Sequence, residues 1–414
     1  MNTAARQSAF YDRLFPALAE PALRRYACGQ VLSVLGSWTQ NITLNLLVYH
    51  LSGKASVFAL LNFLLYGPQL IVAPVAGSRI RAANARRATL CVLATSLTLT
   101  SILLVLWLAG ALGVKLILLL ALAIGISSAI ETPARQLLLV NSLRNPLLTS
   151  NAVAMNTMVY NVGRMVGPSI AGFVYPLLGP AAAFAMYGCA LCVMAMCVRS
   201  IHPANLSARS RADGGGLRNA VGYVLSDMFS ARYLPTLACM GLFAASYQTL
   251  VPLLADHAFH NAARYTGIFF AAAGGGSLTA AILLSSAWGP RATRKLLAFA
   301  PWLAVTALFT LAFTNDASLS VPAFCVLGFS LTFSATSTNA TIQQRCPDHV
   351  RGGLVGMYGM AYNGTMPFGY LLVGTVSEAL GVRSTFTAMA IVLASSVVAI
   401  TALHHFKQRR TGAQ

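Results

Sequence analysis

From residue 26 to residue 405 the chain is a succession of apolar runs separated by short polar corners. A helix needs about 20 largely apolar residues to cross the hydrocarbon core of a bilayer, and these runs reach that length. Their backbone N–H and C=O groups find no water in hydrocarbon, so each run must satisfy its own, which makes each a helix. The predicted spans are 26–51, 55–76, 88–110, 114–134, 151–176, 180–199, 233–255, 265–287, 295–314, 318–342, 352–377 and 384–405. Only 9% of the 414 residues are charged and 57% are hydrophobic, against roughly 25% charged in a soluble chain. So few ionic groups cannot clothe a water-facing body of this length. The expected fold class is an all-α membrane protein of about twelve transmembrane helices.

The net charge of +19 permits nucleic-acid binding in principle, but the placement of the charges argues against it. With the N-terminus inside, 23 Lys and Arg fall in the inner segments. The outer loops hold only Lys54, Lys115, Arg264 and Arg383. Arg135 is counted here as an inner-loop cation, and Arg164 alone falls inside a span. Cytoplasmic loops carry the excess of basic residues, so both termini are expected in the cytoplasm. The first 25 residues contain four Arg and no long apolar core, so they do not read as a cleavable signal. The Gly- and Ser-rich stretch 200–231 reads as a cytoplasmic linker, its part from Leu217 to Phe229 weakly amphipathic. The expected organisation is a cytoplasmic segment 1–25, a six-helix bundle 26–199, the linker, a second six-helix bundle 232–405 and a tail 406–414.

The halves resemble repeats: Arg25-Tyr26 opens span one and Arg232-Tyr233 span seven, while Tyr160-Asn161 and Tyr362-Asn363 occupy spans five and eleven. Repeated halves are a design of secondary transporters, with the substrate site at the midplane between them. Polar groups in hydrocarbon are costly, so their placement marks a pathway or helix–helix hydrogen bonding. In span one, Gln30, Ser33, Ser37, Asn41 and Asn45 share a face with Trp38 at its edge. Asn161 and Arg164 in span five, Tyr247 and Gln248 in span seven, and Thr336 and Asn339 in span ten extend the set of pathway candidates. Arg164 stays ionised at depth and requires an anion or water; an anionic substrate group or a carboxylate such as Glu131 would serve. Glu131, near the inner end of span four, is the proton-coupling candidate, with an interfacial helix-end role as its alternative. Asp256 and Glu378, at outer span ends, are weaker candidates. The C-x-x-C of Cys189 and Cys192 has no His or acidic partner beside it and reads as packing sulfur. No nucleotide-binding, zinc-protease or nucleophile-elbow motif occurs, so no ATP, cofactor, metal or enzyme activity is expected.

Four stretches resemble the major facilitator superfamily across roughly residues 20–405. They are GQVLSVLGSWTQNITLNLLVYHLSG, TPARQLLLVNSL, NVGRMVGPSIAG and NATIQQRCPDHVRGGLVGMY. The resemblance looks closest to the bacterial twelve-helix exporter group that includes the enterobactin exporter and macrolide-efflux-type proteins. NVGRMVGPSIAG is similar to that group's span-five exporter signature, which falls on Gly163, Gly167, Pro168 and Gly172, with Ala171 in place of a Gly. The gating loop after span two runs from Gly77 and keeps Arg86 and Arg87, but Arg81 stands where the family has Asp and Ala82 where it has Arg. The resemblance implies two pseudo-symmetric six-helix bundles, alternating access and proton-driven antiport in the bacterial inner membrane. Its expected partners are the lipid bilayer, a small-molecule substrate and protons. Arg164 and the Asn/Gln stripes favour a polar or anionic metabolite such as a siderophore. A multidrug or macrolide-type pump for amphipathic compounds stays open, and a receptor or enzyme without transport is the remote alternative.

Overall fold

The computed structural model describes residues 20–80, 82–143, 145, 148–201, 217–259, 262–285 and 289–411. All regular structure among these residues is helical, and each of the twelve apolar runs lies on helix. In chain order the helices are α1 (Pro21–Ser52), α2 (Ala55–Tyr66), α3 (Gln69–Arg79), α4 (Ala85–Leu108), α5 (Val114–Asn141) and α6 (Thr149–Arg199). There follow α7 (Leu217–Ser226), α8 (Met228–Cys239), α9 (Val251–Phe259), α10 (Ala262–Ser285), α11 (Gly289–Leu296) and α12 (Ala300–Phe313). The last four are α13 (Ala317–Arg345), α14 (Asp348–Tyr362), α15 (Met366–Leu380) and α16 (Val382–Thr411).

Among the described residues, seven stretches are long and apolar enough to cross a bilayer, and the bent pair of α8 and α9 makes an eighth. The other expected spans are helical but depart from that standard for visible reasons. α1 and the first arm of α6 are diluted by polar residues, and α12 has only 14. The run 352–377 is interrupted between α14 and α15. Spans five and six are joined into one continuous element, α6, whose single non-helical residue is Gly179 (φ 74°, ψ 176°). L-residues meet a steric penalty at such a φ, and Gly does not; Pro180 then starts the second arm with φ already set.

The chain divides into two compact units. The first holds residues to Leu47 together with Ile71–Ser210, and the second holds Val48–Leu70 with Arg211 onward. In the first unit α1 runs against both arms of α6 through glycines. A Cβ at Gly29 would lie 2.8 Å from Met194 Sδ, and one at Gly36 2.8 Å from a Tyr187 ring carbon. On the other arm, a Cβ at Gly163 would overlap Val34 and one at Gly167 would overlap Trp38. Small residues let helix backbones approach this closely where lipid supplies no hydrophobic drive to associate. Tyr26, Leu93, Leu138, Tyr187 and Met194 form the core beside this seam.

In the second unit the closest helix pair is α10 with α13. Gly276 faces the carbonyl of Cys325, Gly328 faces that of Ala273, and Ser277 Oγ donates to Gly328 O at 3.1 Å. α2 packs on α15, where Gly374 meets Ala59 and Phe63 meets Phe368 edge to face at 5.9 Å. Two helix starts are capped by Asp, as short acceptors favour. Asp227 accepts from Ser230 N at 2.9 Å, and Asp316 accepts from Ser318 N at 2.9 Å.

Candidate functional site

The charged centre of the first unit is built where α5 passes α1. α5 does not stop at the predicted span end of 134; it continues through Pro133 to Asn141. Arg135 is therefore not a loop cation. It lies inside the helix with a side chain 3% exposed. Glu131, one turn earlier, sits 2.5 Å from its Nη2. That guanidinium also donates from Nη1 to Gln30 Oε1 at 2.7 Å and from Nη2 to Ser33 Oγ at 2.8 Å. The sequence reading offered Glu131 as a carboxylate for Arg164, whose side chain lies outside the described residues; the cation that the structure pairs with Glu131 is Arg135. The fork geometry of Arg suits this task, since one planar group reaches a carboxylate on its own helix and two neutral acceptors on the next.

Tyr26 on α1 and Tyr160 and Tyr187 on α6 lie within electrostatic reach of the pair. Two buried donors around it, Arg135 Nε and Tyr26 OH, have no hydrogen-bond partner among the described residues. A lone charge in hydrocarbon is expensive, and a matched pair with added hydrogen bonds is how it is held.

The remaining candidates distribute as follows. Gln30 is at the charged centre, whereas Ser37 turns back to Val34 O at 3.0 Å and Asn45 to Asn41 O at 2.8 Å. Trp38 is half-buried against the two signature glycines, Gly163 and Gly167. Thr39, between these, donates to Gly167 O at 3.3 Å. Gly172 is half-buried on α6. Asn161, Arg164 and Pro168 hold places on α6, but their side chains lie outside the described residues, as does Arg81 altogether. Of the gating loop, Gly77 is exposed, Arg87 is exposed, and Arg86 donates to the carbonyl of Arg199.

The second unit carries a separate polar cluster at a broken helix. α8 widens into a π-helical turn over Met240–Ala244, tightens to a 3-10 turn over Ala245–Thr249, and meets α9 at 45°. Pro252, the second residue of α9, accounts for the bend between the two, because it cannot donate to the carbonyl of Gln248 and its ring crowds that group. Tyr247 is fully buried between Phe270 and Phe324, with ring centroids 6.3 and 5.7 Å away. Gln248 Oε1 accepts from Tyr370 OH at 3.4 Å, and Tyr370 in turn faces Tyr66 at 5.8 Å. Thr336 is exposed and Asn339 half-buried on α13. Sequence reasoning missed Arg135 and the paired aromatic ring of Tyr370; for Arg135 the available signal was its i, i+4 spacing from Glu131.

Residues 14–413 match the family model described as transmembrane secretion effector. The chain belongs to this family of major facilitator transporters, which are multi-pass membrane proteins and not enzymes. Across 92% of this chain and 94% of the relative, it is 24% identical to the staphyloferrin A transporter of Staphylococcus aureus. It is 28% identical to the multidrug efflux pump Tap of Mycolicibacterium fortuitum over 251 residues, 58% of this chain and 60% of that one. Among solved structures, the nucleoside transporter NupG shares the fold with a TM-score of 0.72 at 13% identity, covering 92% of this chain and 98% of that one. A bacterial homolog of the human lysosomal transporter Spinster, inward-facing and occupied, gives 0.66 at 13% identity over 94% and 97% of the two chains.

Proposed function

We propose that this protein exports a small polar or anionic metabolite, a siderophore first among the candidates, in exchange for protons by alternating access. The observation that carries the reading is the buried Glu131–Arg135 pair tied to α1. Ionisable side chains at membrane depth are costly to hold and mark proton relays and substrate paths. Glu131 is 15% exposed and Arg135 3%. The direction of transport rests on the glycines of the span-five signature and on the secretion family to which the chain belongs. The cargo class rests on the Asn and Gln stripes, on Arg164 and on a relative named for the siderophore staphyloferrin A. The division into six-helix bundles at 200–231, cytoplasmic termini and a bacterial inner-membrane location belong to the same reading. A second reading, efflux of amphipathic drugs, is favoured by the kinship with Tap.

Everted membrane vesicles energised by a pH gradient test both. Offered staphyloferrin A and, separately, ethidium, they are expected to accumulate the first. Glu131→Gln removes the dependence of that flux on the gradient, and Arg164→Ala abolishes flux at normal expression. Accumulation of ethidium alone decides for the drug reading, and accumulation of neither overturns both cargo classes.

A further inference from the structure

We propose that Arg135 is the positioning residue through which α1 registers the protonation of Glu131. The inference rests on the reading of Glu131 as the proton site, and adds how that proton is felt elsewhere in the first unit. Arg135 has five N–H donors, no acceptor, and stays protonated in every state. At 3% exposure its charge must be answered by protein groups. With Glu131 ionised, the pair is neutral and the guanidinium is shared between α5 and α1. A proton on Glu131 removes that counter-charge. A protonated Glu131 keeps a carbonyl oxygen that can accept but no charge, so the hold on Arg135 moves toward its two acceptors on α1, Gln30 Oε1 and Ser33 Oγ.

Protonation therefore transfers the hold on a permanent cation from its own helix to the neighbouring one. Among the described residues, the carboxylate acting on Arg135 is Glu131, and the other titratable groups facing the pair are Tyr26 from α1 and Tyr160 and Tyr187 from the two arms of α6. Arg135 Nε and Tyr26 OH, without a partner among the described residues, mark the same spot as one with a second arrangement available. A buried donor without a partner is destabilising, so a rearrangement that satisfies it is favoured once the ion pair no longer fixes the guanidinium.

Cys28 is exposed on α1, two residues before Gln30, and is a natural reporter. The test places a nitroxide spin label there, in the full-length chain with its other cysteines replaced, in lipid nanodiscs without cargo. The expected result is a label spectrum that changes between neutral and acid pH. Glu131→Gln holds the acid spectrum at all pH. The double variant Gln30→Leu/Ser33→Ala, which leaves the ion pair intact, loses the pH response. Arg135→Lys, which keeps the charge but cannot span both helices, loses the response as well, where a merely electrostatic role would be restored by the retained charge. A pH response that survives in the double variant, or in Arg135→Lys, overturns the proposal, as does a parent spectrum indifferent to pH. A pH response that persists in Glu131→Gln instead removes Glu131 as the proton site, and with it the reading underneath.

Discussion

Glu378, at the end of α15 and past the apolar run, accepts the backbone N–H of Ser56 at 2.8 Å in the first turn of α2. A helix N-terminus presents unpaired N–H groups and partial positive charge, and a carboxylate from another helix answers both. The Ser56 N–H holds the Glu378 carboxyl below the usual carboxylate range, with Lys54 nearby adding to the effect. Because the value in the folded protein is lowered, the contact is complete above the ordinary carboxylate range and is lost as pH falls through the lowered one. Thermal melts in detergent at neutral and acid pH should show an acid-side loss that Glu378→Gln no longer displays; an unchanged pH difference in that variant would discard the cap. Other single residues were unevenly legible. Glu131 and Gln30 could be marked from polarity at membrane depth alone. Arg135 could not, because Pro133 and the fading hydropathy put a boundary at residue 134, where tertiary packing instead continues the helix to Asn141. What decided its role was the proximity of α1, and one sequence carries no direct record of which helices touch.

At the scale of elements, two breaks meet. Beside the widened turn of α8 lies the gap between α14 and α15, where Pro367 ends one helix and starts the next. Thr365 Oγ1, in that gap, is 3.2 Å from Ala238 O and also within 3.0 Å of Ala361 O. Gly241 leaves no room on the facing side, since a Cβ there would lie 2.5 Å from Thr365 Oγ1 and 2.6 Å from Tyr362 O. Thr365→Val should lower stability by about 0.5–1.5 kcal/mol, the net worth of a hydrogen bond, and Thr365→Ser should restore it. Gly241→Ala should cost about 1–3 kcal/mol by overpacking against backbone. Both are read from unfolding temperatures in detergent, and a Thr365→Val variant as stable as the parent would separate the two breaks. Apolar length alone makes seven of the spans, and the bent pair of α8 and α9, readable among the described residues; the others are helical but shorter, interrupted or diluted by polar residues. The π-helical turn depends on neighbours in space and left no mark in composition.

At the scale of the molecule, charge sorting is the strongest signal, and it yields a topology that can be measured. Alkaline phosphatase fusions within 77–87, within 200–231 and at either terminus should all be inactive, while fusions at Lys115 and Arg383 should be active. Activity at one of the first two positions and not the other would dismantle the proposed two-bundle plan. The fold class survives at this scale because it depends on sums over many residues. The cargo does not, because it depends on a few side chains whose partners arrive from distant parts of the chain.

The glycine contacts of α1 bear on how any of this moves. Gly29 and Gly36 seat the side chains of Met194 and Tyr187 from one arm of α6, and Gly163 and Gly167 of the other arm seat those of Val34 and Trp38, with no room for a further carbon at any of the four. A larger residue at Gly163 or Gly167 would have to push Val34 or Trp38 aside, so a shift of α1 along this stretch finds little slack before it presses on the arm that carries the signature glycines.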